Sequence, residues 1–293
     1  MRAIMTFTRT FPALVLAAGV LALAGGPAAA QDHDTPEPPA LKWSFAGPLG
    51  KFDRGQLQRG FKVFREVCGN CHSLSLVSFR SLAESGGPGF SPAQAAAVAA
   101  EYKIKDGPND QGEMFERPGR VADYFPPPFP NEKAAQAANG GVAPPDMSTL
   151  AKARTYERGF PRFLLDVVTQ YQEQGVDYIA ALLKGYEKAP EGMQMATGMM
   201  YNKYFPGHGI AMPPPISDGQ VSYDDGSPAT IDQYSRDVAA FLAWTAEPHL
   251  EDRKRIGFQV IIFLLVFSGL LYFTKKRVWQ DVQLHPEELS RKS

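Results

Sequence analysis

The sequence CGNCH, residues 68 to 72, places two cysteines three positions apart, with a histidine directly after the second. Cys68 and Cys71 are the only two cysteines among the 293 residues. Residues at positions i and i+3 of a helix or tight turn lie on the same side, so the two thiols can act together. Three kinds of site use such a pair: a dithiol redox switch, half of a zinc site, and the attachment point of a haem.

The surroundings of the motif favour haem attachment. A zinc site needs two further ligands at regular spacing. The other histidines are scattered along the chain: His33, His208, His249 and His285. A thioredoxin-like switch is typical of a strand–helix unit and has no histidine after its second cysteine. C-x-x-C-H is the pattern in which two thiols form thioethers with the haem vinyl groups and the histidine binds iron, so we expect that role for Cys68, Cys71 and His72.

A haem bound by His72 has a sixth iron position, and methionine is the usual second ligand in electron-transfer cytochromes. Methionines follow the motif at Met114, Met147, Met193, Met195, Met199, Met200 and Met212. Met212 is the favoured candidate, because Pro213–Pro215 stiffen the backbone and lower the entropic cost of holding a weak ligand. Met193 and Met200 come next. Most methionines fill gaps in cores, which is the expected role of the others.

The elements that position the motif are predicted to be helices. Leu57, Phe61, Phe64 and Cys68 follow a helical spacing, so a helix is expected to end at the motif. Further amphipathic helices are predicted at residues 161–173, 176–187 and 230–248. Residues 85–145 are dominated by glycine, proline and short charged pieces, so an irregular path is expected there, with a short helix at 134–138. No credible run of strands is found, which predicts a mostly α body.

Composition and charge limit the class of protein. The chain is 44% hydrophobic and 21% charged, as in ordinary globular proteins, and its 25 prolines and 27 glycines predict long connections. Such connections need something to pack on, which a large planar cofactor would supply. A mildly acidic body argues against binding to nucleic acid.

His208, flanked by Gly207 and Gly209, is interpreted as a surface residue in a turn.

Two apolar segments lie near the ends of the chain. Residues 1–30 combine a basic start, a short apolar run and a small-residue end, which is typical of a cleaved signal peptide rather than a first membrane helix. Residues 256–273 carry no charge and have basic clusters on both sides, which predicts a membrane span. The predicted organisation is a signal peptide at 1–30, an exported body at 31–255, a transmembrane helix at 256–273 and a cytoplasmic tail at 274–293.

Longer blocks of the sequence resemble the cytochrome c1 family, the haem subunits of ubiquinol–cytochrome c reductases (cytochrome bc complexes), in its bacterial form. The matching blocks are FDRGQLQRGFKVFREVCGNCHS, MFERPGRVADYFPPPFPN, AANGGVAPPDMS, YFPGHGIAMPPPI, YDDGSPAT and RDVAAFLAWTAEPHLEDRKRIGF. They extend over residues 43–279. The resemblance implies a mostly α class I cytochrome c core with long loop insertions, plus one C-terminal transmembrane helix.

The resemblance also implies roles for single residues. The anchors and axial ligands of one covalently attached haem c would be Cys68, Cys71, His72 and Met212. Arg117 and Tyr124 match positions that contact the haem propionates, and an arginine offers a fixed fork of donors to a carboxylate. Asn139 and the APPDMS turn would form part of the pocket wall. Some bacterial relatives brace the region before the distal methionine with an extra cysteine pair, whereas this chain has the methionine-rich segment GMQMATGMM there.

The implied function is that of a redox subunit, which is not an enzyme on its own. It would receive electrons from the Rieske iron–sulfur protein and pass them to a soluble or anchored c-type cytochrome. It would work with cytochrome b in a dimeric complex of the bacterial inner membrane, with the haem domain on the periplasmic side. A candidate docking surface for a basic cytochrome is Asp106, Asp110, Glu113 and Glu116, whose joint neutralisation would then alter the salt dependence of electron transfer. The alternative is that these four acidic residues form an ordinary solvent-exposed charged surface with no docking role.

Two other functions stay open on sequence grounds. A haem enzyme or sensor with an open sixth iron position would need a catalytic distal side chain, and the AMPPPI segment argues against it. A free-standing membrane-anchored cytochrome usually carries a small haem domain on a flexible linker. The long body here shows no Gly/Ser-rich linker before the span, which favours a subunit of a rigid complex.

Overall fold

The computed structural model describes residues 35–156, 160–169 and 171–280. The predicted signal peptide and most of the predicted cytoplasmic tail lie outside these ranges. The helices and strands are, in order, α1 (Arg54–Glu66), α2 (Pro92–Ala100), β1 (Lys103–Asp106), β2 (Phe115–Pro118), α3 (Glu132–Ala138), α4 (Leu150–Ala153), α5 (Arg162–Thr169), α6 (Gln174–Lys184), β3 (Met200–Tyr201), β4 (Gly209–Ile210), α7 (Ile231–Ala246) and α8 (Leu250–Val278). The mostly α prediction with one apolar C-terminal helix is confirmed.

Helices α1 and α7 cross at Gly60. A Cβ atom at this position would lie 2.1 Å from the Asp237 carbonyl oxygen and 2.6 Å from the Phe241 Cβ, so the helices can approach this closely only at a glycine. Beside the crossing, the rings of Phe61 and Phe64 lie 5.7 and 5.8 Å from that of Phe241. The helix that ends at the motif therefore packs directly against α7.

An ion pair stabilises the same crossing. Arg59 Nε donates to the Asp237 carboxylate at 2.9 Å, and Arg59 Nη1 donates to Asp225 at 2.7 Å. Asp237 is fully buried and also accepts hydrogen bonds from the Gln233 amide. A buried carboxylate is tolerated when it is paired and its oxygens are hydrogen-bonded. The ion pair therefore favours one register of α1 against α7.

The expected irregular path of residues 85–145 is partly wrong. Helix α2 lies within it and begins with a capping box, in which the Ser91 hydroxyl accepts from the Gln94 amide while the Gln94 side chain accepts from the Ser91 amide. Strands β1 and β2 form an antiparallel hairpin, another departure from the expectation. Buried Ala95 and Ala99 pack α2 on the core. Alanine has the highest helix propensity, and this outweighed the surrounding glycine and proline.

Helix α8 contains the predicted membrane span. It has 29 residues and a mean hydropathy of 2.3 over its most apolar window, and its apolar side chains are exposed. The described residues contain one helix of this kind, long and apolar enough to cross a membrane. Its first turns bind the body: Lys254 Nζ donates to the Phe45 carbonyl at 2.6 Å, and Glu251 accepts from the Phe52 amide at 3.0 Å. The apolar helix is thus joined to the body by direct contacts.

Candidate functional site

A single tight turn brings together the three residues of the C-x-x-C-H motif. Helix α1 is followed by a 3₁₀ turn at Cys68–Asn70, in which the Cys68 carbonyl accepts from the amides of Cys71 at 3.1 Å and His72 at 2.9 Å. No disulfide joins the two cysteines, and Cys68 is buried whereas Cys71 is exposed. Burial raises the pKa of Cys68 to about 12. A redox dithiol needs a stabilised thiolate, so this environment does not suit a dithiol switch.

His72 is oriented for binding iron. Its ring is buried, and Nδ1 lies 2.8 Å from the Pro145 carbonyl oxygen. A carbonyl can only accept, so Nδ1 carries the proton and Nε2 keeps its lone pair. Burial lowers the pKa of His72, which keeps the imidazole neutral. A ligating histidine commonly donates its other ring N–H to a carbonyl, and His72 shows this arrangement.

Asp146 fastens the segment that supplies this carbonyl. Its carboxylate accepts from Ser73 Oγ at 2.7 Å, from the Ser75 amide at 2.9 Å and from the Ser148 amide at 2.7 Å. Burial alone would raise the pKa of Asp146, but these hydrogen bonds lower it overall. The APPDMS segment therefore lies directly beside the motif. The sequence patterns did not single out Asp146, although its bond to an amide two residues on is a recognisable turn signal.

A cavity lies beside His72. It has a volume of about 140 Å³ and is lined by Phe64, Arg65, Gly69, Asn70, His72, Leu74, Tyr102, Phe125 and Pro126. Phe64, Leu74, Phe125 and Pro126 give this wall aromatic and aliphatic surface, and Arg65, Asn70 and His72 give it polar groups. A haem is an apolar macrocycle with charged edges, and such a mixed lining suits it. The available imidazole nitrogen and the two cysteines in one turn also fit a haem. Among the described residues, no group of three His, Cys, Asp or Glu side chains could hold a metal ion, so a zinc site finds no support there.

Met212 lies just after the β3–β4 hairpin. It is half-buried, and its carbonyl oxygen accepts from the Tyr186 hydroxyl at 3.0 Å. The hairpin pairs Met200 with Ile210 and Tyr201 with Gly209. Met212 does not line the cavity beside His72. Its role as the distal ligand stays a prediction.

Comparison with known proteins decides the family. Residues 43–282 match the family described as Cytochrome C1 family. The chain is 65% identical over 268 residues to "Cytochrome b/c1" of Bradyrhizobium diazoefficiens, covering 91% of this chain and 39% of that protein. It is 48% identical over 281 residues to cytochrome c1 of Blastochloris viridis, covering 95% of this chain and 99% of that protein.

The chain belongs to the cytochrome C1 family. Cytochrome c1 from Rhodospirillum rubrum is also similar, at 42% identity over 285 residues, covering 92% of this chain and 97% of that protein. Members of the family are haem-carrying electron-transfer subunits of the cytochrome bc1 complex and are not catalytic alone. The predicted family and haem cofactor are confirmed, and the apolar helix α8 fits a membrane-anchored member. The chain spans 39% of the length of the Bradyrhizobium protein.

In this member of the cytochrome C1 family, the Arg117 guanidinium binds carboxylates of the chain itself. Its two terminal nitrogens donate to the Asp123 carboxylate at 2.6 and 2.9 Å, and Nε donates to Asp106 at 2.5 Å. The Asp123 bond raises the pKa of Arg117, and Arg117 in turn lowers the pKa of Asp123 to about 2. Tyr124 is 53% exposed and pairs with Ser78 in an isolated bridge. The predicted propionate contacts of Arg117 and Tyr124 stay predictions.

The interpretation of His208 as a surface residue is wrong. This cytochrome c1-like chain buries it to 7% exposure, with Nδ1 3.2 Å from the Asn202 carbonyl oxygen. The imidazole stacks on Tyr201, with ring centroids 5.3 Å apart, and the residue has a positive φ of 59°. The flanking glycines correctly indicated a turn. The pairing of β3 with β4 then folds the ring inward, and nothing in the local sequence signals that pairing.

Proposed function

We propose that the chain holds one haem c through thioethers to Cys68 and Cys71, with His72 and Met212 as axial ligands. The proposal further makes the chain the electron-transfer subunit of a ubiquinol–cytochrome c reductase. The observation that carries it is the hydrogen bond from His72 Nδ1 to the Pro145 carbonyl, because it leaves Nε2 free to bind iron. Bound there, the haem iron supplies one-electron chemistry by alternating between Fe(III) and Fe(II).

The side chains of the site have distinct tasks in this function. The Cys68 and Cys71 thioethers would prevent loss of the cofactor, whichever oxidation state it has. The neutral His72 imidazole supplies one ligand, and a Met212 thioether would favour Fe(II) and raise the reduction potential. The apolar residues Phe64, Leu74 and Phe125 keep water from the site. When water is excluded, the charges and dipoles around the site act more strongly on the reduction potential of the haem.

Replacing Cys68 and Cys71 together with serine tests the attachment. Serine cannot form a thioether, so covalently bound haem is expected to disappear completely. The measurement is haem staining of the chain after denaturing electrophoresis, with an antibody to confirm that the protein is present. Glu66→Gln changes an exposed side chain two residues before Cys68 and is the control that should keep the stain. A stained double variant would contradict the attachment.

The proposed partners are cytochrome b, the Rieske iron–sulfur protein as electron donor and a c-type cytochrome as acceptor, in a dimeric complex. The family relationship supports this assembly. The contacts of Lys254 and Glu251 with the body also support a subunit held rigidly at the membrane. Affinity isolation of the tagged chain from detergent-solubilised membranes is expected to recover cytochrome b and the Rieske protein. Recovery of the chain without either would favour a free-standing cytochrome.

The proposed location is the bacterial inner membrane, with the haem domain in the periplasm. In this arrangement the signal peptide at 1–30 is removed, residues 256–273 span the membrane and residues 274–293 are cytoplasmic. The predicted signal peptide supports this orientation, because export of the body leaves the C-terminal end of the span in the cytoplasm. The basic clusters at the two ends of the span are balanced and do not distinguish the two orientations. Protease added to intact spheroplasts is expected to digest the body, and a protected body would reverse the orientation.

A further inference from the structure

The backbone of Met212 is held by a hydrogen bond from a distant tyrosine. The Tyr186 hydroxyl donates to the Met212 carbonyl at 3.0 Å, across 26 residues of chain. A carbonyl can only accept, so the phenol must remain protonated to make this bond.

Tyr186 is itself fixed by the strands and turns around Asn202. Residues Tyr186 and Asn202 form an antiparallel bridge, and the Lys203 amide donates to the Gly185 carbonyl at 2.8 Å. Asn202 is fully buried, and its side chain donates to the Leu182 carbonyl at 2.8 Å and accepts from the Tyr204 amide at 3.0 Å. The end of helix α6 and the β3–β4 hairpin are thereby joined. The backbone of Tyr186, whose hydroxyl binds Met212, is therefore held in place by both elements.

The hydrogen bond from Tyr186 holds the segment around Met212, which no disulfide can hold in this chain. The two cysteines both belong to the haem motif, and a disulfide brace before Met212 is therefore not available. Pro213–Pro215 restrict the backbone after Met212, but proline has no N–H with which to fasten it to the body. A hydrogen bond to the carbonyl of Met212 itself acts directly on the residue that would supply the ligand.

We propose that Tyr186 is a positioning residue for the distal methionine. Its hydroxyl holds the Met212 backbone so that the thioether, a weak ligand, stays on the iron. The inference rests on the proposed axial role of Met212. The structural consequence of losing the hydroxyl is the loss of one hydrogen bond, which is enough to shift a weak ligation equilibrium without unfolding the body.

The test compares Tyr186→Phe with the wild-type chain in its native membranes. Phenylalanine keeps the packed ring and removes the hydroxyl. We expect haem staining to be retained and the far-red sulfur–iron absorption of the ferric protein to weaken. Imidazole is expected to displace the methionine at roughly five- to tenfold lower concentration, as the loss of one hydrogen bond predicts.

Tyr234→Phe is a matched control. Tyr234 is fully buried, and its hydroxyl accepts from the Val221 amide at 3.0 Å and donates to the Val221 carbonyl. The control therefore makes the same chemical change and removes two hydrogen bonds, but touches neither Met212 nor Asn202. We expect its imidazole titration to match that of the wild type.

Each outcome bears on a different part of the proposal. Equal imidazole titrations in the Tyr186→Phe and wild-type proteins would overturn the positioning role and leave the Met212 assignment intact. An equal shift in Tyr234→Phe would also overturn it, because the effect would then reflect general loosening of the fold. A wild-type protein without the far-red absorption would overturn the axial role of Met212, and the inference with it.

Discussion

Gly60→Ala is expected to destabilise the folded chain by about 3 kcal/mol or more, at or above the upper end of the usual range for overpacked cores. The added methyl group would lie 2.1 Å from the Asp237 carbonyl oxygen and 2.6 Å from the Phe241 Cβ. One of these atoms is backbone and the other sits at the base of a buried side chain, so relief requires the two helices to separate. Separation would also lengthen the contact between Arg59 and buried Asp237.

The effect is large relative to the total stability of a domain, which is about 5–15 kcal/mol. The measurement is thermal unfolding of the purified full-length chain in detergent, followed by circular dichroism and by haem absorption. We expect a lower Tm and lower accumulation in membranes. Because helix α1 ends at the haem motif, haem attachment is expected to fall in parallel.

Gly55→Ala on the same helix is the matched control. A Cβ at Gly55 would meet only side-chain atoms, the nearest being Asp53 Oδ1 at 3.3 Å. Alanine is the better helix former by roughly 0.5–1 kcal/mol, so this variant should be neutral or slightly more stable. Equal stability of the Gly60→Ala and Gly55→Ala proteins would show that the close crossing is not required.

Met212→Leu is expected to open the sixth iron position while leaving the fold intact. Leucine has a volume similar to methionine, and such exchanges usually cost less than about 1.5 kcal/mol. It has no sulfur, so the far-red absorption of the ferric protein should vanish and the reduced protein should bind carbon monoxide. The reduction potential is expected to fall by on the order of 0.1 V or more, within the ~0.8 V range over which axial ligands act.

Met193→Leu and Met200→Leu are the controls for this prediction. Both residues belong to the methionine-rich segment and are 40% and 44% exposed. Their replacement should leave the absorption, the potential and the lack of carbon monoxide binding unchanged. If one of them instead removed the far-red absorption and Met212→Leu did not, the distal ligand would have to be reassigned. If the wild-type reduced protein bound carbon monoxide, an open-site haem enzyme or sensor would be favoured.

The sequence alone determined the chemistry and the class of this protein. Cys68, Cys71 and His72 are adjacent along the chain, so local spacing is enough to predict a shared site. The uncharged run at 256–273 is likewise a local property, and helix α8 contains it. Helices α1 and α7 were recognised because their apolar residues repeat with helical period. Family membership followed from long blocks that local spacing does not explain.

Only the tertiary structure decided which groups meet across the chain. The Pro145 carbonyl orients His72 from 73 residues away, and the Tyr186 hydroxyl reaches Met212 across 26. Arg117 binds Asp106 and Asp123, a pairing that its position in the sequence does not predict. Periodicity and spacing report which face of an element is apolar. They carry no information about hydrogen bonds between distant segments, because those depend on how the packed elements bring the segments together.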